Sequence, residues 1–167
     1  MADITQLILD DHDAFRRQFA QLDELRDDPQ QAGAIFAGLA AFLEMHASAE
    51  EEHFYPALLK KGGDEGEEET DDAIGDHDDI RDGSRRAEAA EVGSDGWWRA
   101  VGDTRAANTE HMSEEEDGAL AIARRSISSD ERQRLGVLFQ TFKNAHPGAD
   151  GLSGEDKDPK EYIEQHS

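Results

Sequence analysis

His12, His46 and Glu50 return at His77, His111 and Glu115, each 65 residues further along the chain. The flanks repeat with them. Asp-His-Asp-Ala-Phe-Arg at 11–16 answers Asp-His-Asp-Asp-Ile-Arg at 76–81, and His-Ala-Ser-Ala-Glu-Glu-Glu at 46–52 answers His-Met-Ser-Glu-Glu-Glu-Asp at 111–117. A duplication that keeps imidazoles and carboxylates in register requires a fold in which two copies of one unit meet. On a helix, residues i and i+4 share a face. His46 and Glu50 therefore point the same way, as do His111 and Glu115.

Apolar residues recur at helical spacing through most of the chain. Ile4, Leu7, Ile8, Phe15, Phe19 and Leu22 form a stripe of period 3.6 that predicts a helix over 4–25, stopped by Asp27-Asp28-Pro29. Pro29 opens a second helix over 29–59, with Ala32, Ile35, Phe36, Leu39, Phe42 and Leu43 facing inward, and Pro56 should kink or narrow it near its end. Residues 61–72, rich in Gly, Asp and Glu, read as a mobile acidic connector. A third helix follows over 71–91. A turn at 93–96, with Ser94 or Asp95 as N-cap, leads to a fourth over 97–125. Ser128-Ser129-Asp130-Glu131 starts a shorter fifth helix over 128–143, with Leu135, Leu138, Phe139 and Phe142 on its apolar side. No segment alternates as a strand does. The pattern predicts an all-α chain: an up-down-up-down four-helix bundle over 1–127, an additional C-terminal helix over 128–145, and a polar tail over 146–167 lying on the surface.

His12 and His77 sit on the apolar stripes of their helices, so four helices direct four imidazoles and two carboxylates inward. An isolated buried carboxylate is costly and tends to protonate. Two of them among four histidines make sense if cations supply the opposite charge. Six protein ligands exceed one tetrahedral zinc. They suit two metals, each held by two histidines and both spanned by the two glutamates, with a solvent-derived oxygen between them and open positions left over. Imidazole with carboxylate favours iron or manganese.

Composition excludes several other chemistries. There is no cysteine, hence no thiolate metal site, iron–sulfur cluster or Cys nucleophile. No Ser nucleophile arrangement and no phosphate-binding loop is present. The net charge of −23, from 40 acidic against 17 basic residues, repels phosphate backbones and argues against nucleic acid. Twelve Arg against five Lys make an acid-rich, lysine-poor surface of the kind that stays soluble at high salt. The N-terminus lacks a signal-peptide pattern, and no apolar run approaches the length of a membrane span, so a soluble, cytoplasmic protein without a membrane partner is expected.

At these residues the chain resembles the hemerythrin-like family, the HHE cation-binding domain, over roughly residues 4–125. The doubled His…His-x-x-x-Glu carries the resemblance, and Tyr55-Pro56 after the first copy is similar too. The resemblance implies that His12, His46, Glu50, His77, His111 and Glu115 ligate a non-haem di-iron centre, two Fe2+/Fe3+ ions with a bridging oxo or hydroxo group. Manganese or zinc fits less well. It also implies O2, NO or peroxide as small ligands. The family's invertebrate oxygen carriers have a further His four residues from the third-helix His, where this chain has Ala73 and Arg81, and one bridging Asp, where it has Glu115. Simple oxygen carriage is therefore in doubt, and redox or sensor chemistry gains. Three classes remain open: a protein that binds, senses or reacts with O2, NO or peroxide; a di-iron oxidative or peroxide-detoxifying enzyme; and an iron-storage or regulatory module with an unidentified protein partner.

Several neighbours have two readings. His53 shares a face with His46 and Glu50 and either ligates or lines the pocket; its repeat-mate is Gly118. The Glu50-x-x-His53 pair has ferritin-like spacing, but no second pair exists. Tyr55 reads as a packing residue, about 140° from Glu50 on an α-helix, unless a kink swings it in. Asp11, Asp13, Asp76 and Asp78 either accept an imidazole N–H or face solvent. Arg16 and Arg81 read as ion-pair partners. Glu51, Glu52, Glu114 and Glu116 read as solvated. Trp97 and Trp98 read as an end plug, and His146 and His166 as unliganded.

Overall fold

The computed structural model describes residues 3–167, and every regular element among them is helical. α1 (Ile4–Asp23) is capped by Asp3, whose carboxylate accepts the Thr5 N–H at 2.9 Å. α2 (Pro29–Ala49) starts at Pro29 with Asp28 accepting from Gln31 N–H. The start at Pro29 is as expected; the cap at Asp3 is an addition. α2 continues without a break through a π-turn (Glu50–Phe54) into α3 (Tyr55–Lys61). α4 (Gly63–Ala89) and α5 (Asp95–Asp117) follow, the second capped by Ser94. α6 (Ala119–Ser126), α7 (Ser129–Ala145) and α8 (Pro159–His166) complete the chain, with a 3₁₀ turn at Pro147–Ala149.

Two apolar clusters enclose a polar layer. One contains Ile4, Ile8, Phe54, Leu58, Ile74, Leu120 and Phe139; the other contains Phe15, Phe19, Phe36, Leu39, Ile80, Trp97 and Met112. The six duplicated residues lie between them along each long helix. α1 passes from the first cluster through His12 to the second, and α4 does the same through His77. α2 meets the clusters in the opposite order, and α5 lies in the second cluster with α6 continuing into the first. The helices thus thread one polar layer between two apolar ones, where burial of side chains such as Phe15 and Leu39 stabilises each by about 1.5–3 kcal/mol.

Residues 61–72 are not a connector. Gly63, at φ +61°, makes the turn, and α4 begins there. Asp64 and Glu65 occupy its first turn, where carboxylates favour the positive helix end. Gly66 and Thr70 are buried, so this acidic stretch has an inward face. The expected fourth helix breaks at Gly118 (φ −106°, ψ −85°), separating α5 from α6.

The stretch Pro29–Lys61 does hold an 18-residue window apolar enough to cross a membrane, contrary to expectation, and 44% of that window is buried in the fold. The tail is more than a surface strand. α8 buries Tyr162, whose O–H donates to the Glu51 carbonyl, and Lys157 Nζ pairs with the Glu51 carboxylate.

Candidate metal centre

Four side chains, His12, His46, Glu50 and Glu115, each offer one lone-pair atom within 4.8 Å of the others; Glu50, His77 and His111 form a second such group. Glu50 belongs to both. All six residues are at most 3% exposed. His53, counted among the candidates, is in neither group. It is half-buried, with its ring edge-on to Phe142 at 5.8 Å.

Five buried atoms here have no hydrogen-bond partner: His12 Nε2, His46 Nε2, both Glu50 oxygens and Glu115 Oε2. His46 Nε2 lies 2.9 Å from Glu50 Oε1, and His12 Nε2 lies 3.1 Å from Glu115 Oε2, close but not aligned as hydrogen bonds. His77 Nε2 and His111 Nε2 approach to 3.3 Å. One unsatisfied buried polar atom costs about 1–3 kcal/mol. Five at one place, all lone-pair donors of imidazole or carboxylate type, fit cations.

Every one of the four histidines turns its other ring nitrogen to a carboxylate on a different helix. His12 Nδ1 meets Glu116 at 2.8 Å, His46 Nδ1 meets Asp11 at 2.9 Å, His77 Nδ1 meets Glu51 at 2.9 Å, and His111 Nδ1 meets Asp76 at 3.3 Å. These partners obey the same 65-residue duplication: Asp11 with Asp76, Glu51 with Glu116. Arg16 on Glu116 at 2.7 Å and Arg81 on Glu51 at 3.0 Å repeat it once more. A carboxylate at Nδ1–H selects the tautomer whose Nε2 lone pair faces inward and raises its basicity. Replacing Glu116 with Gln should therefore weaken metal binding at His12 by about 10–100-fold while leaving the His77 side little changed, a difference readable by titration calorimetry.

These partners correct the expectation that Glu51 and Glu116 are solvated. Glu51 is buried and Glu116 half-buried, because the flank of a helix lying in the groove between two neighbours is covered although it points off the core direction. Glu52 and Glu114 are exposed, as expected. Asp11 and Asp76 take the imidazole-binding reading. Asp13 is exposed and pairs with Arg16, and Asp78 pairs with Arg81 and accepts from the Lys157 N–H.

The π-turn settles Tyr55 and His53 together. Pro56 has no N–H and crowds the preceding turn, and the Tyr55 N–H donates five residues back, to the Glu50 carbonyl. That wider turn absorbs roughly one extra residue, so Tyr55 falls about 40° from Glu50 rather than about 140°. It is fully buried, and its O–H donates to Glu115 Oε1 at 2.7 Å. The same slippage turns His53 off the face it would share with His46.

Burial opposes charge throughout the site, and ion pairing overrides it. Burial alone would lower the His46 pKa, but the Glu50 and Asp11 carboxylates hold it up at about 10. His77 is held at about 9 against burial by Glu50 and Glu51. Glu50 lies well below the usual range despite burial, because His46 and His77 flank it. Burial and the Glu115 and Glu50 charges push the Tyr55 phenol well above its ordinary value, so it stays a protonated donor.

Three supports went unseen in the sequence. Lys143, on α7, pairs with Asp11, and Phe139 packs edge-on against the His46 ring at 5.9 Å. Lys157 pairs with Glu51. Lys143 lies one turn beyond Phe139 on the apolar side of α7, the one signal that could have placed it. Two cavities reach the centre. One, of about 650 Å3, opens between α2 and α4, with Phe36, Leu43, Ala47 and Ile80 on its walls and His77 at its floor. The other, of about 320 Å3, lies against Tyr55, His111 and Glu115.

Four helices that bury imidazoles and carboxylates around one point, with lone pairs facing in, define a helical cation-binding domain. The chain belongs to the hemerythrin family: the model of the hemerythrin HHE cation-binding domain matches residues 3–123. No curated protein and no solved structure matches it.

Proposed function

We propose that the protein holds two iron ions within an up-down-up-down four-helix bundle and uses them to bind, sense or react with O2, NO or peroxide. The observation that carries this is the pair of overlapping ligand groups sharing Glu50. His12, His46, Glu50 and Glu115 would hold one iron; His77, His111 and Glu50 would hold the other. Irons in such a donor set supply one-electron redox chemistry and an exchangeable coordination position.

The chain's own residues make the two positions unequal. Glu115 joins only the first group, and its Oε1 is occupied by the Tyr55 hydroxyl. The second group has one protein ligand fewer, so it is the exchangeable side. Tyr55 Oη keeps a proton beside it. The apolar cavity above His77 suits an uncharged diatomic molecule, which gains nothing from polar walls.

Metal analysis and optical spectra of protein purified without added metal test this. About two irons per chain are expected, with a near-ultraviolet ferric absorption that bleaches on anaerobic reduction and changes on exposure to air, NO or peroxide. Protein lacking iron, or iron indifferent to all three, would refute it. The 650 Å3 cavity also favours a second reading, oxidation of an apolar organic substrate. Sustained turnover of such a compound, lost in His46→Ala, would select that reading over stoichiometric ligand binding.

A further inference from the structure

Among the positions where the two halves of the duplication differ, one lies beside the ligands and is not explained by them. Where the first copy has His53, packed against Phe142 of α7, the second has Gly118. A Cβ at 118 would lie 2.2 Å from both carboxylate oxygens of Glu69. The Glu69 carboxylate thus fills the space a side chain would take, and it accepts from the Ala119 N–H. Beside it opens the cavity of about 320 Å3, with Glu69, Asp72, Asp76, Glu114 and Asp117 around the mouth and His111 and Glu115 on the floor.

We propose that this cavity is the route by which divalent cations reach the centre, with Glu69, Asp72 and Glu114 as the station that draws them in. The inference rests on the metal-binding reading above and adds a path to it. Two independent observations support it. The floor residue Glu115 is 2% exposed and carries an unpartnered carboxylate oxygen, Oε2, which also belongs to the first ligand group. The rim carries five carboxylates, Asp117 being the fifth, and no Lys or Arg. Burial raises the pKa of Glu69 and Asp72, and the acids around each add to it. The equivalent approach in the first copy is covered by α7, where Phe139 lies on His46 and Phe142 on His53. The other cavity that reaches the centre has mainly apolar walls, which a hydrated dication enters poorly. Charge of one sign lining a cleft speeds capture of the opposite charge by about 10–1,000-fold, and salt weakens the effect.

The experiment is anaerobic loading of metal-free protein with Co2+, followed by stopped-flow absorption, with final stoichiometry measured separately. The variant Glu69→Gln/Asp72→Asn/Glu114→Gln removes three mutually repelling charges and none of the ligand-group residues. A control, Glu24→Gln/Asp27→Asn/Glu91→Gln, removes three exposed charges at the α1–α2 and α4–α5 turns. The rim variant should load at least about 10-fold more slowly than wild type, with a flatter dependence on salt and the same final stoichiometry, while the control loads nearly as fast as wild type. Equal rates in rim variant and wild type, or equal slowing in rim variant and control, would overturn the route while two bound cobalts still uphold the centre. Wild-type protein that takes up no cobalt would overturn both.

Discussion

Glu50→Gln should empty both metal positions at once. Glu50 alone belongs to both ligand groups, and both of its oxygens are buried without partners. Glutamine replaces one of those oxygens with an NH2 that donates rather than accepts, which turns a positive edge toward either a cation or the His46 ring. Glu115→Gln should behave differently. Only its Oε2 serves a group, and its Oε1 already accepts from Tyr55. That variant should lose chiefly the His12–His46 metal and keep the His77–His111 one. Metal content per chain separates the two outcomes, and a Glu50→Gln protein that retained one metal would reject the sharing of Glu50. The metal-free variant should also be less stable at pH 6. Protonated His46 and His77 would lose their common counter-charge, and removing one partner of a buried pair costs about 3–5 kcal/mol. In a domain of this size that corresponds to a melting point lower by roughly 10 °C.

Metal-free and metal-loaded protein should respond to alkali in opposite ways. His46 and His77 have pKa values of about 10 and about 9 in the folded chain, raised from 6.5. A raised folded-state pKa contributes stability that is fully present below the unfolded value and lost as pH climbs through the folded value. Stability of the metal-free protein should therefore decline from about pH 6.5 to pH 10, by a few kcal/mol in total. On the acid side Glu50 and Glu51 are depressed, Glu51 to about 2, so their contribution is present above pH 4.5 and fades as pH falls toward 2. The metal-free maximum lies near pH 4.5–6.5. When metal occupies the centre it displaces those imidazole protons, so binding tightens as pH rises and the alkaline decline should vanish. Thermal melts at pH 6, 8 and 10, with and without chelator, read this directly. Parallel curves for both forms would contradict it.

The centre was legible because a duplication marks its own parts. Residues conserved between the two copies at helical spacing turned out to lie in one buried layer, and Asp11 with Asp76 could be placed near it from their adjacency to the histidines. Glu51 and Glu116 follow the same 65-residue rule, yet the helical wheel put them off-face, because a wheel does not know which flank a neighbouring helix covers. The π-turn left no local sign except Pro56. The wider turn spans Glu50–Phe54, and with it went the orientation of His53 and Tyr55. The 61–72 segment misled through composition: glycine and acid read as loop, although acids in a first helical turn are where the helix dipole wants them. Lys143 on Asp11 and Lys157 on Glu51 span 132 and 106 residues of sequence, and no spacing rule reaches that far.

Those two lysines, with Phe139 and Tyr162, lie beyond residue 123, where the match to the family model ends. The matched segment and the packed helices therefore end at different places. A chain cut after residue 123 would keep every donor atom yet discard Lys143 from Asp11 and Lys157 from Glu51, leaving Glu51 to Arg81 and Asp11 with no lysine. The packing that braces the centre thus reaches past the matched segment.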